Sequence, residues 1–203
     1  MTSLNKTPQE IIRDGLLASA EVKRKAAESE ELTSSLIEVA EAIVASIRNG
    51  GKVLFCGNGG SAADSQHLAT ELVVRLTGDY ERPAIGAIAL TTDTSILTGG
   101  ANDYGYDHVF KRQVEALGRE GDVLIAISTS GKSPSVLAAM AAARVKRMKT
   151  VAWCGADPRG MEPLADYIVS VPSTVTANIQ ECHITLGHIL IHLVERMLYP
   201  KSE

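Results

Sequence analysis

Nearly continuous apolar segments alternate with helical segments from residue 52 onward, and this alternation restricts the possible folds more than any other feature. The five predicted strands are VLFC, AIGAIAL, DVLIAIS, KTVAWC and YIVSVP. The predicted helices include SAADSQHLATELVVRL, YDHVFKRQVEALG, SPSVLAAMAAARVKRM and TANIQECHITLGHILIHLVERML. Strands without polar alternation are typical of parallel sheets that helices cover on both faces. The pattern predicts an α/β fold, a three-layer αβα sandwich with a five-stranded parallel sheet.

The first fifty residues predict two helices ahead of the first strand. Apolar residues recur at helical spacing after the start signal Thr7-Pro8, and a second run, LTSSLIEVAEAIVASIRNGG, ends in glycines that stop a helix. No linker or low-complexity tract divides the chain. We expect a single domain over residues 1–203, with oligomerisation helices over 1–50 and an α/β core over 51–203.

Composition and charge argue against several classes of function. The formal net charge is −4 and the basic residues are scattered, so nothing indicates a nucleic-acid partner. The N-terminal sequence is too polar for a signal peptide, and no apolar run is long enough to span a membrane. The three cysteines form no CxxC pair and suggest a reducing compartment. We therefore expect a cytoplasmic protein.

The first predicted strand leads into a glycine-rich turn, Cys56-Gly57-Asn58-Gly59-Gly60-Ser61, and then into a helix. Glycines let the backbone approach a ligand closely, and the N–H groups at a helix N-terminus favour phosphate. The turn nearly matches the dinucleotide fingerprint GxGxxG/A, but the next strand ends much later than that fingerprint requires. A purely structural turn is the alternative, and a nucleotide cofactor ranks low.

The third predicted strand leads into a hydroxyl-rich turn, Ser128-Thr129-Ser130-Gly131-Lys132-Ser133, followed by Pro134 at a helix start. Four hydroxyl residues within six positions are more than a turn requires, and hydroxyls can donate hydrogen bonds to phosphate oxygens. Both turns follow parallel strands, whose carboxyl ends bind ligands in open α/β sheets. The two turns therefore predict one shared anion site.

A histidine and a glutamate, His67 and Glu71, lie four residues apart on the helix after the first turn. This spacing places both side chains on one side of the helix. An intrahelical ion pair is the simplest interpretation of such a pair. The pair also lies one or two helical turns beyond the anion site, at about 1.5 Å of rise per residue. This position favours a role in proton transfer or metal binding.

The last predicted helix carries five further polar candidates on an otherwise apolar sequence. They are Gln180, Glu181, His183, His188 and His192. Both His183 and His188 lie within reach of the face that carries Gln180. The residue spacing therefore leaves the choice between these two histidines open.

Four segments together resemble the bacterial phosphoheptose isomerases, which have the sugar isomerase (SIS) fold, a flavodoxin-like arrangement. They are GNGGSAADSQHLATEL, GGANDYGYDHVF, GREGDVLIAISTSGKSPSV and NIQECHITLGHIL. The resemblance implies conversion of sedoheptulose 7-phosphate to D-glycero-D-manno-heptose 7-phosphate through an enediol. That reaction is the first step of ADP/GDP-heptose biosynthesis, which supplies lipopolysaccharide.

The resemblance also implies a role for each matching residue. Glu71 is the base, and His188, rather than His183, is its acid partner. One zinc ion per subunit has the candidate ligands His67, Glu71, Gln180 and His188. The implied substrate contacts, besides Glu71 and Gln180, are Asn58, Gly59, Gly60, Asn102 and Asp103 at the sugar, and Ser61, Ser128, Thr129, Ser130 and Ser133 at the phosphate.

Several further expectations accompany the resemblance. It implies a homotetramer whose pocket is completed at subunit boundaries. A metal-bound carboxylate is a weaker base, so we expect variable metal occupancy or loosened ligation during turnover. Asn178 replaces the arginine that is usual before Ile-Gln-Glu in the family, and this removes a cation near the pocket. The rival hypothesis is a non-catalytic SIS protein, either a sugar-phosphate sensor or a DnaA-associated regulator, which would lack the acid–base pair.

Overall fold

A computed structural model describes residues 6–200, and within them five parallel strands form a sheet. The strands are β1 (Val53–Gly57), β2 (Ala87–Ala89), β3 (Val123–Ser128), β4 (Lys149–Cys154) and β5 (Tyr167–Ser170). Their spatial order is β2-β1-β3-β4-β5, which is the flavodoxin-like order. The connections that leave β1 and β3 run to opposite sides of the sheet. A crevice between their carboxyl ends follows from this topology.

Helices cover both faces of the sheet, as the sequence predicts. They are α1 (Pro8–Glu28), α2 (Glu30–Arg48), α3 (Gly60–Val73), α4 (Thr94–Tyr104), α5 (Val109–Leu117), α6 (Pro134–Val145) and α7 (Thr176–Leu198). One core cluster joins the sheet to α1, α2, α3 and α7, and a second joins it to α4, α5 and α6. The predicted three-layer αβα sandwich is confirmed.

Alternation along the buried strands assigns side chains to the two cores. Val53 and Phe55 of β1 face the cluster that contains α3 and α7, whereas Leu54 and Cys56 face the other cluster. All five residues of β1 are buried. Because the strands are apolar on both faces, neither layer of helices can be removed without exposing core. Helices α3 and α7 are therefore neighbours on one face of the sheet.

The two predicted N-terminal helices are present, and their start signals explain where they begin. The Thr7 hydroxyl oxygen accepts a hydrogen bond from the backbone N–H of Glu10, and the Glu10 carboxylate accepts one from the N–H of Thr7, at 3.3 and 2.8 Å. This reciprocal pair is a capping box. Ser29 ends α1 and caps α2, since its side chain accepts from the N–H of Leu32.

The structure departs from the sequence prediction between β1 and β3. Helix α4 was not predicted, because the glycines at positions 99 and 100 lower helix propensity. It begins where the Asp93 carboxylate accepts a hydrogen bond from the N–H of Ile96 at 2.9 Å. Of the strand predicted over residues 84–90, only Ala87–Ala89 pair with β1, at the sheet edge. No helix within residues 6–200 is long and apolar enough to cross a membrane.

Candidate active site

The first turn lies between β1 and α3 and depends on two of its glycines. Gly59 has a φ of 56° and a ψ of −121°, a backbone conformation that side chains disfavour, and it precedes the first residue of α3. A Cβ atom on Gly60 would overlap the side-chain amide of Gln180 from α7. The turn therefore brings the backbone at the start of α3 directly against a predicted site residue on α7.

The second turn presents its hydroxyl groups at the start of α6. Ser133 is the residue before α6, yet its side chain makes no capping hydrogen bond, and Pro134 takes the first helical position. The Ser128 and Ser130 hydroxyl oxygens lie 3.5 Å apart, and Ser130 Oγ accepts from the N–H of Lys132 at 3.3 Å. These hydroxyls and the N-terminus of α6 form a group of donors suited to an anion.

Hydrogen bonds from Asn58 join the two turns. Its Nδ2 donates to Ser133 Oγ at 2.7 Å and to Ser135 Oγ at 3.0 Å. Its Oδ1 accepts from the Tyr106 hydroxyl at 2.8 Å, which fixes the orientation of the amide. Sequence reasoning missed Ser135 and Tyr106. The third serine of SGKSPS, two residues after Ser133, could have indicated Ser135, but no local pattern marks Tyr106.

The structure brings His67, Glu71 and His188 together. Their ligand-type atoms all lie within 4.8 Å of one another. The Nε2 atoms of His67 and His188 are 2.7 Å apart, and His67 Nε2 lies 3.4 Å from Glu71 Oε1. The Glu71 side chain is 16% exposed and that of His67 46%, so the group opens to solvent on one side. The cluster can hold a divalent cation or pass a proton between carboxylate and imidazole.

A buried carboxylate lies beside this cluster, and sequence reasoning missed it. Asp64 is on α3, one turn before His67, and is 7% exposed. Burial raises the pKa of Asp64 to about 6, and a hydrogen bond from Gln180 acts in the opposite direction. Its position three residues before His67 could have suggested it, because residues at that spacing share a helix face.

The histidines of α7 have three different environments, which the residue spacing could not reveal. His183 is 1% exposed, and its Nε2 lies 3.1 Å from the Cys154 carbonyl oxygen. Burial lowers the pKa of His183 to about 4, so this histidine is a neutral core residue. His192 is exposed. Of the three, the structure brings only His188 to Glu71.

Asn102 and Asp103 lie apart from these interactions in the described part of the chain. Both are exposed near the end of α4, where Asn102 Nδ2 donates to Asp103 Oδ1 at 2.8 Å. Within residues 6–200, neither side chain hydrogen-bonds to a predicted site residue outside this pair. Helix α4 nevertheless leads, through Gly105, directly to Tyr106, which contacts Asn58. Their role in binding a sugar stays a prediction.

Comparisons with known proteins agree with this architecture. The model of the SIS domain matches residues 19–155. A phosphoheptose isomerase of Pelodictyon phaeoclathratiforme is 53% identical over 94% of this chain and 90% of its own length. Solved phosphoheptose isomerase structures from Neisseria gonorrhoeae and Francisella tularensis are 42% and 36% identical, with TM-scores of 0.86 and 0.89. They cover 93% and 94% of this chain, and 98% and 100% of their own. The chain therefore belongs to the phosphoheptose isomerases of the SIS-domain family.

Proposed function

We propose that this protein is an aldose–ketose isomerase that converts sedoheptulose 7-phosphate to D-glycero-D-manno-heptose 7-phosphate, the first step of ADP/GDP-heptose and lipopolysaccharide biosynthesis. The observation that carries the proposal is the convergence of Glu71 and His188, from two helices, beside the two anion-binding turns. Family membership at about half sequence identity supports the same substrate class.

The two turns hold the phosphate in this proposal. The side chains of Ser128, Thr129, Ser130 and Ser133 donate to its oxygens, and Ser61 assists from the first turn of α3. A cavity of about 180 Å³ beside the second turn is lined by Thr129, Ser130, Lys132 and Ile179, among others. Ile179 and His188 both lie on α7, so this helix borders both the cavity and the acid–base cluster. The sugar contacts are Asn58, Gly59, Gly60, Gln180, Asn102 and Asp103.

Glu71 and His188 carry out the proton transfers. Glu71 removes a proton from C1 of the ketose, the C–H electrons form the C1=C2 bond of an enediol, and His188 protonates O2. His188 then takes the proton from O1 while Glu71 returns its proton to C2, which yields the aldose. One carboxylate can serve both carbon atoms because C1 and C2 are adjacent. General acid–base catalysis of this kind typically contributes about 10²–10⁴-fold in rate.

The donor atoms of this cluster also suit a divalent metal ion, and we propose zinc, one ion per subunit. Two imidazole nitrogens and a carboxylate oxygen converge without a thiolate, which is a ligand set typical of catalytic zinc. His67, Glu71 and His188 would hold the ion, and Gln180 would supply a further oxygen. When bound, zinc supplies a Lewis acid that polarises the substrate carbonyl. Elemental analysis of protein purified without chelator would test this.

We further propose a homotetramer in the cytoplasm. Helix α1 exposes Ile11, Ile12, Leu16 and Leu17 by 56%, 63%, 68% and 60%, although these side chains are apolar. A second copy of the chain would bury such a face. Light scattering of the wild type and of Leu16→Glu/Leu17→Glu tests this assembly. A monomeric wild type would contradict it.

An assay with sedoheptulose 7-phosphate tests the proposed reaction directly. The aldose product is followed with added zinc, without it, and after treatment with a chelator. Turnover that zinc restores is the expected result. Binding of the substrate without any aldose, in the presence of zinc, would overturn the enzyme assignment and favour the non-catalytic SIS protein.

A further inference from the structure

A buried ion pair, Arg82 with Glu195, lies behind the proposed acid–base cluster and has no part in the chemistry described above. The Arg82 side chain is 0% exposed and that of Glu195 is 2% exposed. Glu195 Oε1 accepts from Arg82 Nε at 2.9 Å and lies 2.8 Å from Nη2. Two buried charges require a close partner, because desolvation of an unpaired charge is costly.

The guanidinium of Arg82 makes several contacts beyond the one with Glu195. Besides Glu195, it donates from Nη1 to the carbonyl oxygens of Leu72 and Pro83, at 2.7 and 3.0 Å, and from Nη2 to that of Glu71 at 2.7 Å. A guanidinium has five N–H groups in a fixed planar arrangement, and here it makes four hydrogen bonds and one further ion-pair contact, from Nη2 to Glu195. A lysine ammonium could not reproduce them, because it has three donors at one point.

Two of these contacts explain why the arginine lies at this place. Helix α3 ends at Val73, so the carbonyl groups of Glu71 and Leu72 belong to its last turn. Carbonyls in a last turn lack partners within the helix, and a positive charge there is favourable. Arg82 therefore fixes the end of α3 at the residue whose side chain is the proposed base.

Glu195 connects the same arrangement to α7. It lies seven residues after His188, which is two turns further along the same face, about 10 Å away. Its Oε1 also accepts from the N–H of Leu76, just beyond α3, at 3.3 Å. The pair thus joins the helix that carries His67 and Glu71 to the helix that carries His188.

We propose that Arg82 and Glu195 are positioning residues that set the distance between Glu71 and His188. This inference rests on the proposed function. A positioning role can be distinguished from a role in stability alone, because a buried ion pair can often be replaced by apolar residues without loss of stability. If the pair serves only the fold, such a replacement leaves turnover intact. If it positions the helices, turnover falls while the fold persists.

The test replaces both residues in the variant Arg82→Met/Glu195→Met. We expect kcat to fall about 10-fold to 100-fold, since a displacement of about 1 Å costs that much, while KM stays within about 3-fold because the second turn, with four of the five proposed phosphate donors, lies on other elements. The matched control is Lys52→Met/Asp122→Asn, an ion pair of 2.5 Å at the amino ends of β1 and β3. The control should keep its kcat. Equal kcat losses in the two variants would overturn the proposal.

Two further measurements keep the proposal falsifiable. If the double variant does not fold, Arg82→Lys retains the charge without the fork of donors, and a wild-type kcat in that variant overturns the proposal. Zinc affinity, measured by competition with a chromophoric chelator, should fall at least about 10-fold in the double variant, because the donors come from both helices. Unchanged zinc affinity would count against it. Inactive wild-type protein would instead refute the proposed function, and zinc affinity would still decide the role of the pair.

Discussion

The two anion-binding turns and the His67–Glu71–His188 cluster belong to one candidate site but are assembled over different lengths of chain. Each turn belongs to a segment of six consecutive residues that leads from the end of a strand into a helix. The cluster joins α3 to α7, and His67 and His188 are 121 positions apart. The turns are therefore determined by local sequence, whereas the cluster depends on how two helices pack. Substitutions at the turns should affect binding, and substitutions around the cluster should affect turnover.

The largest expected effect comes from the cluster itself. Glu71→Gln and His188→Gln should each lower kcat by about 10²–10⁴-fold, because each removes a group that exchanges protons with the substrate. KM should change little, since the phosphate contacts remain. Steady-state kinetics with sedoheptulose 7-phosphate provide the measurement. The control, His192→Gln, changes an exposed histidine one turn further along α7 and should keep full activity; near wild-type turnover in both cluster variants would contradict the assigned roles.

Substitutions in the second turn should have a smaller effect, and they should raise KM rather than lower kcat. Ser130→Ala/Ser133→Ala removes two proposed donors to the phosphate, and a hydrogen bond to a charged group contributes about 1.5–3 kcal/mol. We expect KM to rise at least about 10-fold with kcat nearly unchanged. Ser34→Ala, an exposed serine on α2, is the control. An unchanged KM in the double variant would mean that the phosphate binds elsewhere.

The contrast between turns set by local sequence and a cluster set by helix packing also explains how much of the site the sequence could predict. The strands and both turns were predictable, because apolar runs and Gly/Ser clusters are local signals. The choice of His188 over His183 was not available from spacing, since the choice depends on the orientation of α7 against the sheet. Only the resemblance indicated it. Tyr106 and Arg82 were missed for the same reason: their partners are 48 and 113 positions away in the chain.

Close packing of α3 against α7 can be disturbed without touching any donor atom. A Cβ atom on Gly187 would overlap the buried side chain of Leu68, and these residues directly precede His188 and follow His67. Gly187→Ala should cost about 1–3 kcal/mol of stability through overpacking and should lower kcat more than it changes KM. Chemical denaturation and kinetics measure the two effects.

Gly99→Ala on α4 provides a matched control for that variant. A Cβ atom there has nothing within 4 Å, so alanine should be neutral or stabilise by about 0.5–1 kcal/mol. A Gly187→Ala variant that behaved like Gly99→Ala in both stability and kcat would show that the α3–α7 distance does not determine activity.

The smallest expected effect is a change of stability with pH that comes from His183. It tests the difference between His183 and His188, which residue spacing could not reveal. The pKa of His183 is lowered to about 4 by burial, below its ordinary value of 6.5. Between those values the unfolded chain binds more protons than the folded one, so stability is fully present above pH 6.5 and is lost as the pH falls towards 4. From pH 6.5 to 5.5 the loss should be about 1 kcal/mol. Denaturation of the wild type and His183→Gln, both in chelator, measures it.

The comparison between those two proteins isolates His183 from the other buried group that titrates nearby. The pKa of Asp64 is raised to about 6, so its ionisation destabilises the fold as the pH rises, opposite in sign to the effect of His183. Asp64 is present in both proteins, and its contribution cancels in their difference. If His183→Gln kept the wild-type dependence of stability on pH, His183 would be protonated in the folded state at these pH values and could serve as an acid. That result would contradict the description of His183 as a neutral core residue, which separates it from His188, the histidine beside Glu71.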